Sequence, residues 1–135
     1  MDISKAIAIS SAGMDAQTER LRVIAENIAN QDSTGSKPGA DPYRRKTVTF
    51  EDKLNKALGI DTVRVRSVGT DKTAFTQRFD PSHPAADANG YVKTPNVNPF
   101  VEIMDMREAQ RGYSANLNVM EVTRAMLTRT IELLK

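Results

Sequence analysis

Apolar residues recur every seven positions at both ends of the chain. Ile7, Met14, Leu21 and Ile28 do so near the start, and Met106, Tyr113, Met120, Leu127 and Leu134 near the finish. Seven residues are close to two turns of an α-helix, so each set lines one narrow stripe. The spacing predicts a first helix over residues 3–30, with Asp2 as N-cap, Ile3 and Ile24 extending the stripe, and Asn30 as a left-handed cap. Ser10 and Gln17 interrupt its second line of positions. A second helix is predicted over residues 99–135, with Asn98 as N-cap and Pro99 at the first helical position. Ile103, Leu117 and Ile131 fill much of its second line, and Gln110 and Arg124 break it. Gly112 inside this helix costs about 1 kcal/mol relative to Ala; it is either simply tolerated or placed there for close approach by a neighbouring helix.

Between the helices the pattern changes. Residues 31–42 carry Gly35, Pro38, Gly39 and Pro42 and read as a polar loop. Tyr43 to Phe50 reads as extended, followed by a short helix over residues 50–58, capped by Thr49 and closed by Gly59. Thr62 to Val68 alternates as a strand with one wet face, and Ala74 to Phe79 is a second strand expected to pair with it as a hairpin. Residues 80–89 read as irregular, with a tight turn at Asn89-Gly90 ahead of extended Tyr91-Val92-Lys93. The fold expected is mainly α with a small β part: long N- and C-terminal helices paired as an antiparallel coiled-coil-like hairpin, with an irregular or β-hairpin middle. Residues 1–30 and 99–135 would form one helical domain and residues 31–98 the middle segment. A single apolar stripe does not offset the entropy of ordering so much backbone. The helices therefore need partners, and one or both ends are expected to be weakly ordered in the free monomer and to become firm on assembly.

Composition narrows the chemistry. The chain has 135 residues, enough for one domain, with 5% aromatics and no tryptophan, which limits the core. It has no cysteine, excluding disulfides, thiolate metal sites and cysteine nucleophiles. His83 is the only histidine and lies in the Pro-rich turn Ser82-His83-Pro84. Asp80, His83 and Asp87 are a weak metal-ligand set, and a turn is the better reading. Neither phosphate-binding glycine pattern, GxGxxG or GxxxxGK[ST], is present, so no cofactor is expected and the chain does not read as an enzyme.

The net charge is +2. The basic clusters Arg44-Arg45-Lys46 and Arg64/Arg66 are short and poor in accompanying aromatics. They read as a solvated or salt-bridging face, with a small nucleic-acid-binding protein carrying a helical dimerisation element as the alternative. The longest early apolar run, Ala6 to Ile9, is too short for a signal peptide or a membrane span, so export, if it occurs, is expected without a cleaved signal.

Particular words then stand out. Asn27-Ile28-Ala29-Asn30, followed by Thr34, resembles the N-terminal motif of the bacterial flagellar rod and hook axial proteins. Pro95-Asn96-Val97-Asn98, Glu102 to Met106, and Ala109-Gln110-Arg111-Gly112-Tyr113-Ser114-Ala115-Asn116 resemble their C-terminal motif. Pro42-Tyr43-Arg44-Arg45-Lys46, and the stretch from Asp80-Pro81-Ser82-His83-Pro84 to Gly90-Tyr91-Val92, are similar to the proximal-rod members. Thr34-Gly35-Ser36-Lys37-Pro38-Gly39 departs from the broader pattern at the following loop.

The resemblance implies a structural subunit of the flagellar basal-body rod, exported by the flagellar type III apparatus and assembled in the periplasm into a helical tube that transmits motor torque. Its terminal helices would pair and line the inner tube. Its partners would be copies of itself, other rod proteins, the rod-base adaptor protein and the surrounding membrane ring, with no nucleic acid and no direct membrane span.

Overall fold

The computed structural model describes residues 2–135. Met1, the first residue of the expected N-terminal segment, lies outside them. The elements in order are α1 (Ile3–Ala29), β1 (Lys46–Asn55), β2 (Ile60–Thr70), β3 (Thr76–Phe79), β4 (Tyr91–Thr94) and α2 (Pro99–Leu133). The chain is mainly helical, with a small β part between its two long helices.

Both helices start where the sequence places their caps. The Asp2 carboxylate accepts the Ser4 N–H at 3.0 Å and the Ser4 hydroxyl at 2.7 Å. Those bonds hold the Asp2 carboxyl below the usual carboxylate range. Asn98 Oδ1 accepts the Phe100 N–H at 3.0 Å, with Pro99 at the first helical position, where no N–H is needed. The end of α1 differs from expectation. No non-glycine residue among those described has a positive φ, so Asn30 is not a left-handed cap. Its side-chain amide instead donates to the Glu26 carbonyl at 2.8 Å, the same oxygen that takes its backbone N–H at 3.1 Å.

The short helix expected over residues 50–58 is absent; this segment belongs to strand β1 and the turn after it. β1 pairs with β2, and a four-residue link between adjacent paired strands permits only the antiparallel arrangement. Cross-strand bonds override the helical propensity of Glu51 to Leu58: Arg64 donates to Glu51 at 2.6 Å, and the Thr62 hydroxyl to the Lys53 carbonyl at 3.0 Å. Asn55 closes the turn by accepting the Ala57 N–H on its side chain, and Gly59 supplies the positive φ of +62°.

The expected hairpin between residues 62–68 and 74–79 is also corrected. β3 pairs with β4 in antiparallel register, Thr76 opposite Thr94 and Phe79 opposite Tyr91. The link after β2 is not a free turn, because Asn96 donates to the Asp71 and Thr73 carbonyls at 3.0 and 3.2 Å.

The chain sorts into two compact units. One gathers the chain up to Leu21, Val48–Ser67 and Met106–Lys135; the other gathers Arg22–Thr47 and Val68–Asp105. In the first unit, Gly13 lies against Asn116, Gln17 against Gly112, and Arg20 pairs with Glu108 at 3.3 Å. Numbers rise on α1 as they fall on α2, so the helices are antiparallel there. The buried residues at this contact are small: Ser10, Gly13, Ala16, Ala109 and Thr123. The second unit is centred on Val23, Ile24, Asn27, Val92 and Glu102.

Candidate assembly surfaces

The stripe residues of α1 are all at least half-covered. Ile3, Ile7, Met14, Leu21 and Ile28 are half-buried, and Ile24 is buried. On α2, Met106, Tyr113 and Met120 are half-buried, whereas Ile103, Leu117, Leu127, Ile131 and Leu134 are exposed. In the first unit the helices meet along Ala109, Asn116 and Thr123, one heptad apart, and the large apolar residues flank that line. Close approach is the physical reason. Gly112 leaves room for the Gln17 amide, and Gly13 for the Asn116 amide, so the backbones come together where a stripe of Leu and Met would hold them apart. Bulk excluded from the contact is left outside it: Val119, Val122, Met126, Leu127, Ile131, Leu133 and Leu134 are all exposed. In the second unit Phe100, at 79% exposure, Val101, Ile103 and Met104 present another apolar surface around the start of α2. Soluble monomers rarely display so much contiguous apolar helix.

Arg111, Tyr113 and Asn116 fall in the first unit, and the other motif residues in the second. Asn27 is 1% exposed and uses its whole amide. Its oxygen accepts the Tyr43 hydroxyl and the Lys46 N–H, both at 2.8 Å, and its nitrogen donates to the Lys46 carbonyl at 2.9 Å and to Glu102 at 3.1 Å. Four bonds are the full capacity of an Asn side chain. Glu102, fully buried, also takes the Arg45 guanidinium, which lies 3.5 Å from Asp105 and 3.6 Å from Asp71. Burial pulls the Arg45 pKa down, but Glu102, Asp105 and Asp71 outweigh it and hold the guanidinium charged. Lys46 reaches Glu26 at 2.7 Å, and that bond raises its pKa. Burial pushes the Tyr43 hydroxyl up; Lys46 opposes this and Glu26 and Glu102 add to it.

Arg44 lies 4.1 Å over the Phe75 ring and donates to the Asp71 and Thr73 carbonyls, and Asn96 accepts the Arg45 N–H at 2.8 Å. Each member of the basic cluster Arg44-Arg45-Lys46 is thus engaged by an internal partner. Sequence reading selected Asn27, Tyr43, Arg44 and Asn96 as motif residues. Arg45, Lys46, Glu102 and Asp105 lie within the same motif words but were not singled out as site residues, and Asp71 lies in none of them; an acid in the first turn of α2 is a further local signal for Glu102.

The remaining motif residues take other places. Pro42 is buried, Val97 half-buried, and Ala29 and Arg111 exposed. Asp80, Pro81, His83, Pro84, Gly90 and Tyr91 build the β3–β4 connection. The Asp80 N–H bonds the Gly90 carbonyl at 2.9 Å, and His83 Nδ1 accepts the Ala85 N–H at 3.0 Å. The Asp87 carboxylate is turned to the Asn89 and Tyr91 amides. Among the described residues no group of three or more His, Cys, Asp or Glu is placed to hold a metal ion, and no helix is long and apolar enough to cross a membrane.

Known proteins share this sequence over nearly its whole length. The family described as flagellar basal body rod FlgEFG protein C-terminal matches residues 88–133. A flagellar basal-body rod protein FlgC from Agrobacterium fabrum is 52% identical over 98% of this chain and 96% of its own. FlgC from Salmonella typhimurium is 37% identical over 93% and 92%, and that from Bacillus subtilis 34% identical over 93% of both. With two unenclosed apolar helix surfaces and its motif residues locked into a structural polar cluster, the chain belongs to the FlgC family of flagellar basal-body rod proteins.

Proposed function

We propose that the chain is a structural subunit of the flagellar basal-body rod that assembles through its terminal helices. The observation that carries this reading is the row of exposed apolar residues on α2, from Leu117 to Leu134. Burying such residues against neighbours contributes roughly 1.5–3 kcal/mol for each side chain fully covered. Heterologous contacts that do not close on themselves extend into a helical array.

The stripe residues serve pairing and assembly together, with residues 1–30 and 99–135 as the core and residues 31–98 turned to neighbouring subunits. The partners are copies of the chain, other rod proteins, the rod-base adaptor and the surrounding ring. Delivery is by the type III apparatus to the periplasmic rod, without a cleaved signal, and the rod passes torque mechanically rather than by chemistry. Arg44, Arg45 and Lys46 are engaged internally, and Arg64 and Arg66 both pair with Glu51, which weakens the basic surface that the nucleic-acid alternative needs.

The test is complementation. Cells lacking the gene regain motility when given the full chain, and an epitope-tagged copy copurifies with isolated basal bodies. Motile cells whose basal bodies lack the tagged chain contradict the reading.

A further inference from the structure

The face by which α2 meets α1 does not stop where α1 does. Gly13 meets Asn116 and Gln17 meets Gly112, so each step along α1 is matched by one step back along α2. That register places Asp2, the α1 cap, opposite Leu127. Leu127, Ile131 and Leu134 stand four, eight and eleven residues beyond buried Thr123 and so prolong its face. All three are exposed, with Leu134 at 82%. Arg124 and Lys135, eleven residues apart, border the same strip along one edge.

The first unit also holds an open groove of about 310 Å³. It runs between α1, which contributes Ala12, Asp15, Ala16 and Glu19, and β2, which contributes Val63 and Val65. Ala12, Ala16, Val63 and Val65 make its small apolar floor, the α1 lip is acidic, and the opposite lip carries Thr62, Lys53 and Arg64. Arg64 on the opposite lip is already held by Glu51 at 2.5 Å. A helix with one apolar strip and one basic edge fits such a groove.

We propose that the end of α2 from one copy of this chain docks in the α1–β2 groove of a second copy. Leu127, Ile131 and Leu134 lie on Ala12, Ala16, Val63 and Val65, and Arg124 and Lys135 face Asp15 and Glu19. The face that the strip prolongs already packs on Gly13 of α1 within its own chain, and in the neighbour the strip meets small residues of α1 again. Tail and groove are different surfaces, so the contact is heterologous and repeats from copy to copy. This deepens the rod-subunit reading and rests on it.

The absence of native cysteine makes a direct test available. Full-length Ala12→Cys and Ile131→Cys chains are co-expressed in cells lacking the gene, motility is scored, and the cells are mildly oxidised. A disulfide between the two chains is expected. Ala125→Cys, on the far side of α2, should not join Ala12→Cys.

Motile cells in which Ile131→Cys links no better than Ala125→Cys overturn the docking and leave the rod-subunit reading standing. Linkage of Ile131→Cys to a different protein assigns the tail elsewhere and also overturns it. A second measurement needs no rod. Self-association of the purified full chain, read by sedimentation, is expected to weaken about two- to five-fold, the weight of an exposed ion pair, in Asp15→Lys and in Arg124→Glu. It should recover when both changes are present. Losses that multiply in the double variant overturn the pairing.

Discussion

Asn116 packs on the bare Cα of Gly13: a methyl group built there would stand 2.7 Å from the Asn116 amide nitrogen and 3.0 Å from its carbon and oxygen. The amide is also tethered, donating to the Gly112 carbonyl at 3.0 Å. Gly13→Ala should therefore destabilise, because overpacking of about 1–3 kcal/mol outweighs the roughly 1 kcal/mol gained in helix propensity. With Asn116→Ala in place the clash is gone, and Gly13→Ala should become stabilising by about 1 kcal/mol. Gly112→Ala meets only the end of Gln17, at 3.2 Å, and should be close to neutral. Urea unfolding of the four variants reads the change of sign.

Arg45 and Glu102 are coupled unequally to their surroundings. Removing Arg45 leaves a fully buried carboxylate with only Asn27 to bond it. Removing Glu102 leaves a partly exposed guanidinium that keeps Asp71 and Asp105. Arg45→Ala should cost about 3–5 kcal/mol, and Glu102→Ala clearly less. A double-mutant cycle by denaturant unfolding should give the two a strong positive coupling.

Acid should act through Asp71. Hydrogen bonds from Thr73, and then the Arg45 charge, hold its carboxyl below the ordinary value of 3.8, against the pull of burial. A carboxyl whose folded pKa is depressed binds fewer protons folded than unfolded, so its contribution is whole above its unfolded value and lost as pH falls through its folded one. Thermal melts from about pH 5 to about pH 2 should show stability falling, and Asp71→Asn should flatten that fall. Asp2 shares the same sign.

Two turn glycines should respond differently to alanine. Gly90 has φ of +83°, and a Cβ there would stand 3.0 Å from both the Phe79 ring and the Pro81 ring. Gly59 has φ of +62° and nothing within 4 Å. Both variants pay for the left-handed backbone, about 1–2 kcal/mol, but only Gly90→Ala must also move two rings. Its melting temperature should fall further than that of Gly59→Ala.

The helices were legible because their signals are local: Asp2 and Asn98 cap through their own side chains, and Pro99 needs no N–H. The strand pairing was not, because Glu51 to Leu58 favours helix until Arg64 and Thr62 fold back across it from the next strand. The heptad positions were found, but they flank the helix contact. A pattern of large apolar residues cannot reveal that Gly13 and Gly112 let two backbones approach over Ala109 and Asn116. Most of the polar cluster stood within motif words, at Asn27, Tyr43 to Lys46, Asn96, Glu102 and Asp105, and Asp71 stood outside them. That Glu102 is its buried centre follows only from four segments meeting in space.

The most direct measurement concerns Leu127, exposed on the monomer and central to the proposed assembly. The purified Leu127→Asp chain should keep the helicity and unfolding midpoint of the parent, be synthesised and exported normally, and yet be missing from isolated basal bodies in non-motile cells. Normal motility with Leu127→Asp built into the rod would contradict assembly through this face.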